Sequence, residues 1–300
     1  MIQIIKNRKI FLGISIATIT LSLIFLGMWG LKLGIDFTGG SLMEISFKSE
    51  RPQVSEIDSV IKSMNLQGGY LIQPLGEKSM TLRFQDQNSG VDKKIVEELN
   101  KKYPDQVSKE KFESIGPAVG KEIKTKAIYA IILSIIAIMI YIAIAFRKVS
   151  WPVESWKYSV ASIIALVHDI IIPMGVFAVL GHFLNVEINL PFVAAMLTIL
   201  GYSINDTIVI FDRIRENLGR VSKISFDELV NRSINETLAR SVNTVMTVLI
   251  MLFAILIFGG ESVRYFALAL IIGVFSGGYS SIFIASPILV IWERWGKHKA

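Results

Sequence analysis

The chain has 300 residues, 52% of them apolar, with 31 Lys and Arg against 25 Asp and Glu for a formal net charge of +6, and its mean hydropathy is +0.54. Water-soluble chains rarely carry so apolar a composition, so lipid is the expected solvent. The lack of cysteine excludes disulfides, thiolate metal sites and cysteine nucleophiles. The positive charge sits in short clusters beside long apolar runs, the pattern of membrane topology rather than of nucleic-acid contact, so no nucleic-acid partner is expected.

The first apolar run, Ile10 to Trp29, follows Lys6, Arg8 and Lys9. It reaches the roughly 20 residues a span requires, and no small-residue cleavage motif follows, so it reads as an uncleaved helix. Residues 31–126 have the mixed charge of a soluble domain. Met43, Ile45 and Phe47 alternate with Glu44 and Ser46 as a half-buried strand. Ser55 and Asp58 resemble a capping box before Ile57, Ile61 and Met64 at helical spacing. Strands follow at about 70–75 and 80–85 around a turn at Gly76. Ser89 is the expected cap of a second helix bearing Val91, Ile95 and Leu99, and a strand near 107–115 completes βαββαβ, the ferredoxin-like split unit.

Further apolar runs at about 127–146, 158–180, 190–211, 241–258 and 264–292 bring the spans to six. The expected division is therefore 1–30 (N-terminus and first span), 31–126 (external domain) and 127–300 (five spans with a loop at 212–239). Lys6, Arg8, Lys9, Arg147, Lys148, Lys157, Arg213, Arg215, Arg220, Lys223, Arg232, Arg294, Lys297 and Lys299 gather on one side, whereas the opposite loops, 181–189 and 259–264, hold only Arg264. Positive charge is retained inside, so both termini are expected in the cytoplasm and 31–126 outside. Within 212–239, Ser225 and Glu228 form another capping-box pattern before an apolar stripe of Phe226, Leu229, Val230, Ile234 and Leu238. That helix could lie in the membrane interface or pack on the ends of the spans.

Ionisable groups inside spans carry the chemistry, since a charge at mid-bilayer costs from about 3 to more than 10 kcal/mol. Asp206 lies six residues before the charged end at Asp212, roughly 9 Å deep at about 1.5 Å per residue. Asn205 and Thr207 flank it and are expected to face other helices with it. Arg240, Asn243, Thr244 and Thr247 share one face of the next span, which puts the Arg240 guanidinium within plausible reach of Asp206. An aspartate beside an arginine keeps its charge, and the same aspartate alone in hydrocarbon takes up a proton. Alternation between the two is a proton switch, and one charge crossing 100 mV is worth about 2.3 kcal/mol. The bland alternative is a static ion pair. His168 and Asp169 form a deeper pair, readable as a second relay, a protonated hydrogen-bonding group or a polar clamp between helices, with the clamp preferred because no arginine is evident at similar depth. A zinc site there is not expected, because neighbouring helix residues diverge by about 100° and the chain has 3 histidines.

Gly201, Gly273 and Gly277 are expected at helix contacts. The glycines of 34–40 permit tight turns, but no lysine follows them as a phosphate loop requires. Nothing supplies a nucleophile–base pair or a metal-ligand cluster, so neither an enzyme nor a cofactor is expected, protons being the coupling ion.

The motifs G-I-D-F-T-G-G at 34–40, E-S-I-G-P-A-V-G at 113–120, H-D at 168–169, L-G-Y-S-I-N-D-T-I-V-I-F-D-R-I-R-E-N at 200–217 and A-R-S-V-N-T at 239–244 span nearly the whole chain. Together they resemble the SecF branch of the SecD/SecF family. The fourth-span motif is highly specific, whereas the glycine motif is shared by both branches. The resemblance implies half of a twelve-helix bundle of the resistance-nodulation-division (RND) permease superfamily, paired with SecD. It implies proton-driven assistance to the SecY, SecE and SecG channel with SecA, with YajC and YidC as further candidate partners and the translocating polypeptide as substrate. It also assigns Asp206 and Arg240 to proton transport. The rival readings are half of a small-molecule or lipid exporter of that superfamily and a non-transporting scaffold of the translocase.

Overall fold

The structure, a computed structural model, describes residues 1–66, 69–85, 90–147, 153–220 and 224–297. Two compact units emerge: Leu33–Ala127, and Met1–Lys32 together with Ile128–Ala300.

The first unit opens with a short helix α2 (Ile35–Thr38), α1 (Arg8–Trp29) belonging to the other unit, and continues β1 (Gly40–Phe47), α3 (Val54–Ser63), β2 (Tyr70–Leu75), β3 (Ser79–Phe84), α4 (Val91–Lys102) and β4 (Val107–Ile115). The order βαββαβ and an antiparallel sheet arranged β2-β3-β1-β4 are those of a ferredoxin-like split unit. Met43, Ile45 and Phe47 of β1 and Met80, Leu82 and Phe84 of β3 project to one face, where Ile57 and Ile61 of α3 and Ile95 and Leu99 of α4 complete a dry core. Period-2 strands meeting period-3.6 helices dictate this layer.

Two capping expectations fail. Helix α3 starts at Val54 behind Gln53, which makes no side-chain cap bond, so Ser55 lies inside the first turn. The N-cap of α4 is Gly90, at φ 87°, and Ser89 lies outside the described residues. The glycine motif has a packing role as well as a turn role. A Cβ on Gly39 (φ 72°) would fall 2.7 Å from Pro117 Cα, and one on Gly120 would fall 2.8 Å from the Gly39 nitrogen. The 34–40 and 113–120 motifs therefore pack backbone against backbone, and Arg83 pins the same corner by donating to Thr38 Oγ1 at 2.6 Å.

The second unit comprises α1 (Arg8–Trp29), the later part of α5 (Pro117–Ala145), α6 (Ser155–Leu184), α7 (Leu190–Arg220), α8 (Phe226–Phe258), α9 (Glu261–Ser280) and α10 (Ser286–Lys297). Among the described residues six helical segments are long and apolar enough to cross a membrane, with α9 and α10 sharing the last. Helices α6, α7 and α9 supply most of the interior, and α5 touches it near Ile142 and Phe146, where Phe146 stacks on Tyr158 with centroids 5.4 Å apart. The periphery is apolar as well: Leu133, Ile140, Ile250 and Phe258 all face outward, as side chains solvated by lipid can.

The expected interfacial helix is the first third of α8. No Gly or Pro interrupts 226–258, so the helix runs unbroken from its cap, where the Glu228 N–H donates to Ser225 Oγ at 3.3 Å. Phe226, Leu229, Val230 and Ile234 pack inward. The last span is helical throughout but changes its winding: a π-helical turn, Ser281–Ala285, joins α9 to α10 just before Pro287, which has no N–H for the regular ladder.

Candidate functional site

Helix α6 is apolar along almost its whole length, and His168 and Asp169 sit near its middle. Asp169 is fully buried and His168 is 1% exposed. Although adjacent in sequence, their side chains meet, with His168 Nδ1 2.9 Å from Asp169 Oδ1. Three serines converge on the same carboxylate. Ser276 donates to Oδ1 at 2.9 Å, and Ser203 and Ser280 donate to Oδ2 at 2.5 and 2.6 Å. Asp169 thus ties α6 to α7 and α9, its oxygens hydrogen-bonded while no cation balances its charge among the described residues.

Glycine makes the convergence possible. A Cβ on Gly277 would lie 2.9 Å from Ser203 Cβ, and one on Gly273 would lie 2.1 Å from Ile199 Cδ1, so α9 approaches α7 more closely than any larger residue permits. Gly201 differs: nothing lies within 4 Å of its Cβ position, and it is exposed. It is displaced from Gly273 and Gly277 because it occupies the outer face of α7, so it is not a contact between helices of this chain.

Asp206, one turn beyond Ser203, is half-buried. Its Oδ1 accepts a bond from Ser241 Oγ at 2.5 Å, and its Oδ2 is buried without a hydrogen-bond partner. Among the described residues no Arg240–Asp206 ion pair forms. Ser241, the next residue of α8, takes the place expected for the guanidinium, since it points inward while Arg240 points out. Arg240, Asn243, Thr244 and Thr247 do share one face, and that face is exposed; Thr244 and Thr247 satisfy their hydroxyls on helix carbonyls at 2.8 and 2.9 Å. The neighbours of Asp206 also separate. Thr207 is buried and bonds Ser281 Oγ at 2.8 Å, whereas Asn205 is exposed. Residues 205 and 207 diverge by about 200° around a helix, so they cannot both face inward.

The serines at 203, 241, 276, 280 and 281 are the residues that sequence reasoning missed as ligands of charge. Their signal was present: a carboxylate in a span needs donors at similar depth, and Ser276, Ser280 and Ser281 recur at helical spacing. Among the described residues no group of three or more His, Asp or Glu side chains could hold a metal ion.

A bundle of six spans with a buried carboxylate on its third helix and a half-buried one on its fourth, joined in sequence to a split βαββαβ domain, is the fold of one half of an RND-type permease. A family profile described as "Protein export membrane protein SecD/SecF, C-terminal" matches residues 95–295, and one for the "SecD/SecF GG Motif" matches 24–50. The chain is 42% identical to the protein translocase subunit SecF of Thermobaculum terrenum, covering 98% of this chain and 95% of that one. It is 39% identical to the protein of the same name from Anaerolinea thermophila, covering 98% and 94%. The crystal structure of SecDF, a translocon-associated membrane protein from Thermus thermophilus, superposes with a TM-score of 0.84 at 31% identity over 98% of this chain. This chain spans only 39% of that SecDF chain. The protein belongs to the SecD/SecF family of protein-export membrane proteins.

Proposed function

We propose that the chain is an accessory subunit of the Sec protein translocase that pairs with a SecD half and uses the proton motive force to promote polypeptide export. The observation that carries this reading is the exposed polar face. Gly201 and Asn205 on α7 and Arg240, Asn243, Thr244 and Thr247 on α8 point away from the chain's own bundle, on segments otherwise apolar enough to span a membrane. The Thr244 and Thr247 hydroxyls are satisfied within their own helix, but the Asn205 and Asn243 amides and the Arg240 guanidinium are costly against lipid, and a second membrane half covers them. The share of the SecDF chain left unmatched leaves room for such a half.

In this reading Asp206 is the proton carrier, its free Oδ2 the acceptor. Protonation removes its charge, and deprotonation recruits Arg240 or a cation of the partner half across the shared face. Each state favours a different packing of the two halves, which turns proton passage into movement. Asn205 and Thr207 set the surroundings of the carboxylate, one toward the partner and one toward Ser281. The membrane is the bacterial cytoplasmic membrane, with both termini inside and residues 31–126 in the periplasm, and the SecY, SecE and SecG channel with SecA, and YajC and YidC, are the neighbours. The test is reconstitution with the SecD half in proteoliposomes. Asp206→Asn should abolish proton flux and the flux-dependent part of export. Unchanged flux and export in that variant would leave a scaffold as the correct reading.

A further inference from the structure

We propose that His168 and Asp169 form a second proton-binding site inside the bundle, one that holds a single exchangeable proton on His168 Nε2 and shares a hydroxyl-lined seam with Asp206. The proposal rests on the proton-coupled reading above.

The argument begins with donors and acceptors. A serine hydroxyl can give one proton, and Ser203, Ser276 and Ser280 all reach Asp169. His168 Nδ1 lies 2.9 Å from Oδ1 and 3.3 Å from Ser276 Oγ, and the single Ser276 proton goes to Oδ1, so the arrangement is satisfied when the carboxylate is ionised and Nδ1 carries the hydrogen. That tautomer leaves Nε2 with a lone pair, and Nε2 is buried without a hydrogen-bond partner. Nε2 is therefore the basic atom left open at this site.

Charge decides what Nε2 does. Neutral His168 beside ionised Asp169 is a net negative charge in the membrane interior, and no Lys or Arg is ion-paired to Asp169 among the described residues. One proton on Nε2 brings the pair to neutrality and makes the Nδ1–H bond one between two opposite charges. A clamp between helices needs no titratable partner, and this pair has one. The step balances simply: a proton adds to the Nε2 lone pair, no other bond changes, and release is the reverse.

The surroundings supply no competing charge. From α9, the Tyr279 ring lies over His168 with centroids 6.1 Å apart, and its hydroxyl is committed to the Phe11 carbonyl of α1 at 2.8 Å. From α1, Thr18 donates to carbonyls of its own helix. From α8 come Met246, Leu249 and Phe253, which with Thr18 and His168 line a crevice of about 600 Å³. From α7 the ionisable group in series is Asp206. Between the two carboxylates Ser203 bonds Asp169, Thr207 and Ser281 bond each other and both reach the Ser203 carbonyl, at 3.3 and 3.4 Å, and Ser241 bonds Asp206. The π-helical turn begins at Ser281, within this seam, and such turns concentrate where a helix is shaped by function.

The full chain, reconstituted with its SecD half, tests the site. His168→Asn retains a donor near the Nδ1 position and removes the base, so a structural role predicts normal behaviour. The proposal predicts a shifted pH profile of proton uptake with an unaltered melting temperature, and at least a tenfold loss of uptake for Asp169→Asn. Should Asp169→Asn fail to fold, ¹⁵N-histidine spectra of the unmodified protein decide, with His168→Asn assigning the signal: a Nε2 resonance that titrates, and whose midpoint moves in Asp206→Asn, supports the site, and one that never titrates overturns it. If Asp206→Asn abolishes uptake while both α6 variants keep the normal rate and pH profile, this proposal fails and the proposed function stands. If Asp206→Asn is also silent, the proposed function fails as well.

Discussion

In the α+β domain the side chains withdrawn from solvent include Met43, Ile45, Phe47, Ile57, Ile61, Met80, Leu82, Phe84, Ile95 and Leu99, and Asp92 is the one buried charged residue among those described. In the bundle the most deeply placed residues include Asp169, His168, Ser162, Ser203, Ser280 and Ser281, while Ile250, Met251, Ile257 and Phe258 face outward. The first unit is held together because water rejects its apolar surface. The second has no such drive between its helices, since lipid tails are as apolar as leucine. It depends on close small-residue contacts and on hydrogen bonds that hydrocarbon cannot replace.

That contrast can be broken from either side. The largest effect is expected for Ile95→Ala, which opens a cavity in a wholly buried position and should cost about 2–5 kcal/mol. Hydrogen exchange should show the loss in amides of 40–115 with the bundle unaffected, and an undiminished domain would mean that burial there is not its support. Next, Gly273→Val, whose Cβ would start 2.1 Å from Ile199 Cδ1, should cost about 1–3 kcal/mol by overpacking. Adding Ile199→Ala should recover much of it in thermal melts, and no recovery would show that the α7–α9 contact is not the cause. Ser225→Ala removes the cap of α8 and should cost about 1 kcal/mol, read as earlier fraying of 226–230 in hydrogen exchange; equal protection would refute the cap.

The smallest effect is electrostatic. Lys109 Nζ lies 2.6 Å from Asp92 Oδ2, and that bond outweighs burial to hold the Asp92 carboxyl below its ordinary range. A depressed folded-state value stabilises above the unfolded value of about 3.9 and is lost as pH falls toward the folded one. The Lys109 side chain is 36% exposed, so solvent screening limits the contribution to under about 1 kcal/mol. Lys109→Met should flatten the acid limb of domain stability below about pH 4, and an unchanged limb would rule the pair out.

Legibility in the sequence followed the same division. Alternation at 43–47 and 80–84 gave strands, faces and core together, because in water a strand's pattern states which side is inside. Caps were read less well: Ser55 and Asp58 fit the pattern, yet Gln53 begins α3, since local bonds do not fix a helix start that packing also decides. In the bundle, hydropathy marked the spans but not their faces, because a helix apolar all round carries no moment. Asn205 and Gly201 could not be told from Thr207 and Gly277 by type, and only packing shows that the first two face outward. Asp206 stood out because a charge in hydrocarbon is costly wherever it points. Its partner did not, because one step along α8 separates an outward Arg240 from an inward Ser241.

The wide turn at Ser281–Ala285 leaves the last span with a residue to spare. Deleting one residue elsewhere in α9 would swing every later side chain by about 100° and misalign α10. Deleting Phe283 should instead let the loop of backbone relax to ordinary helical winding while Ser276, Ser280 and Leu289 keep their bearings. The last span should thus tolerate shortening at one place along its length, and that place borders the seam between Asp169 and Asp206.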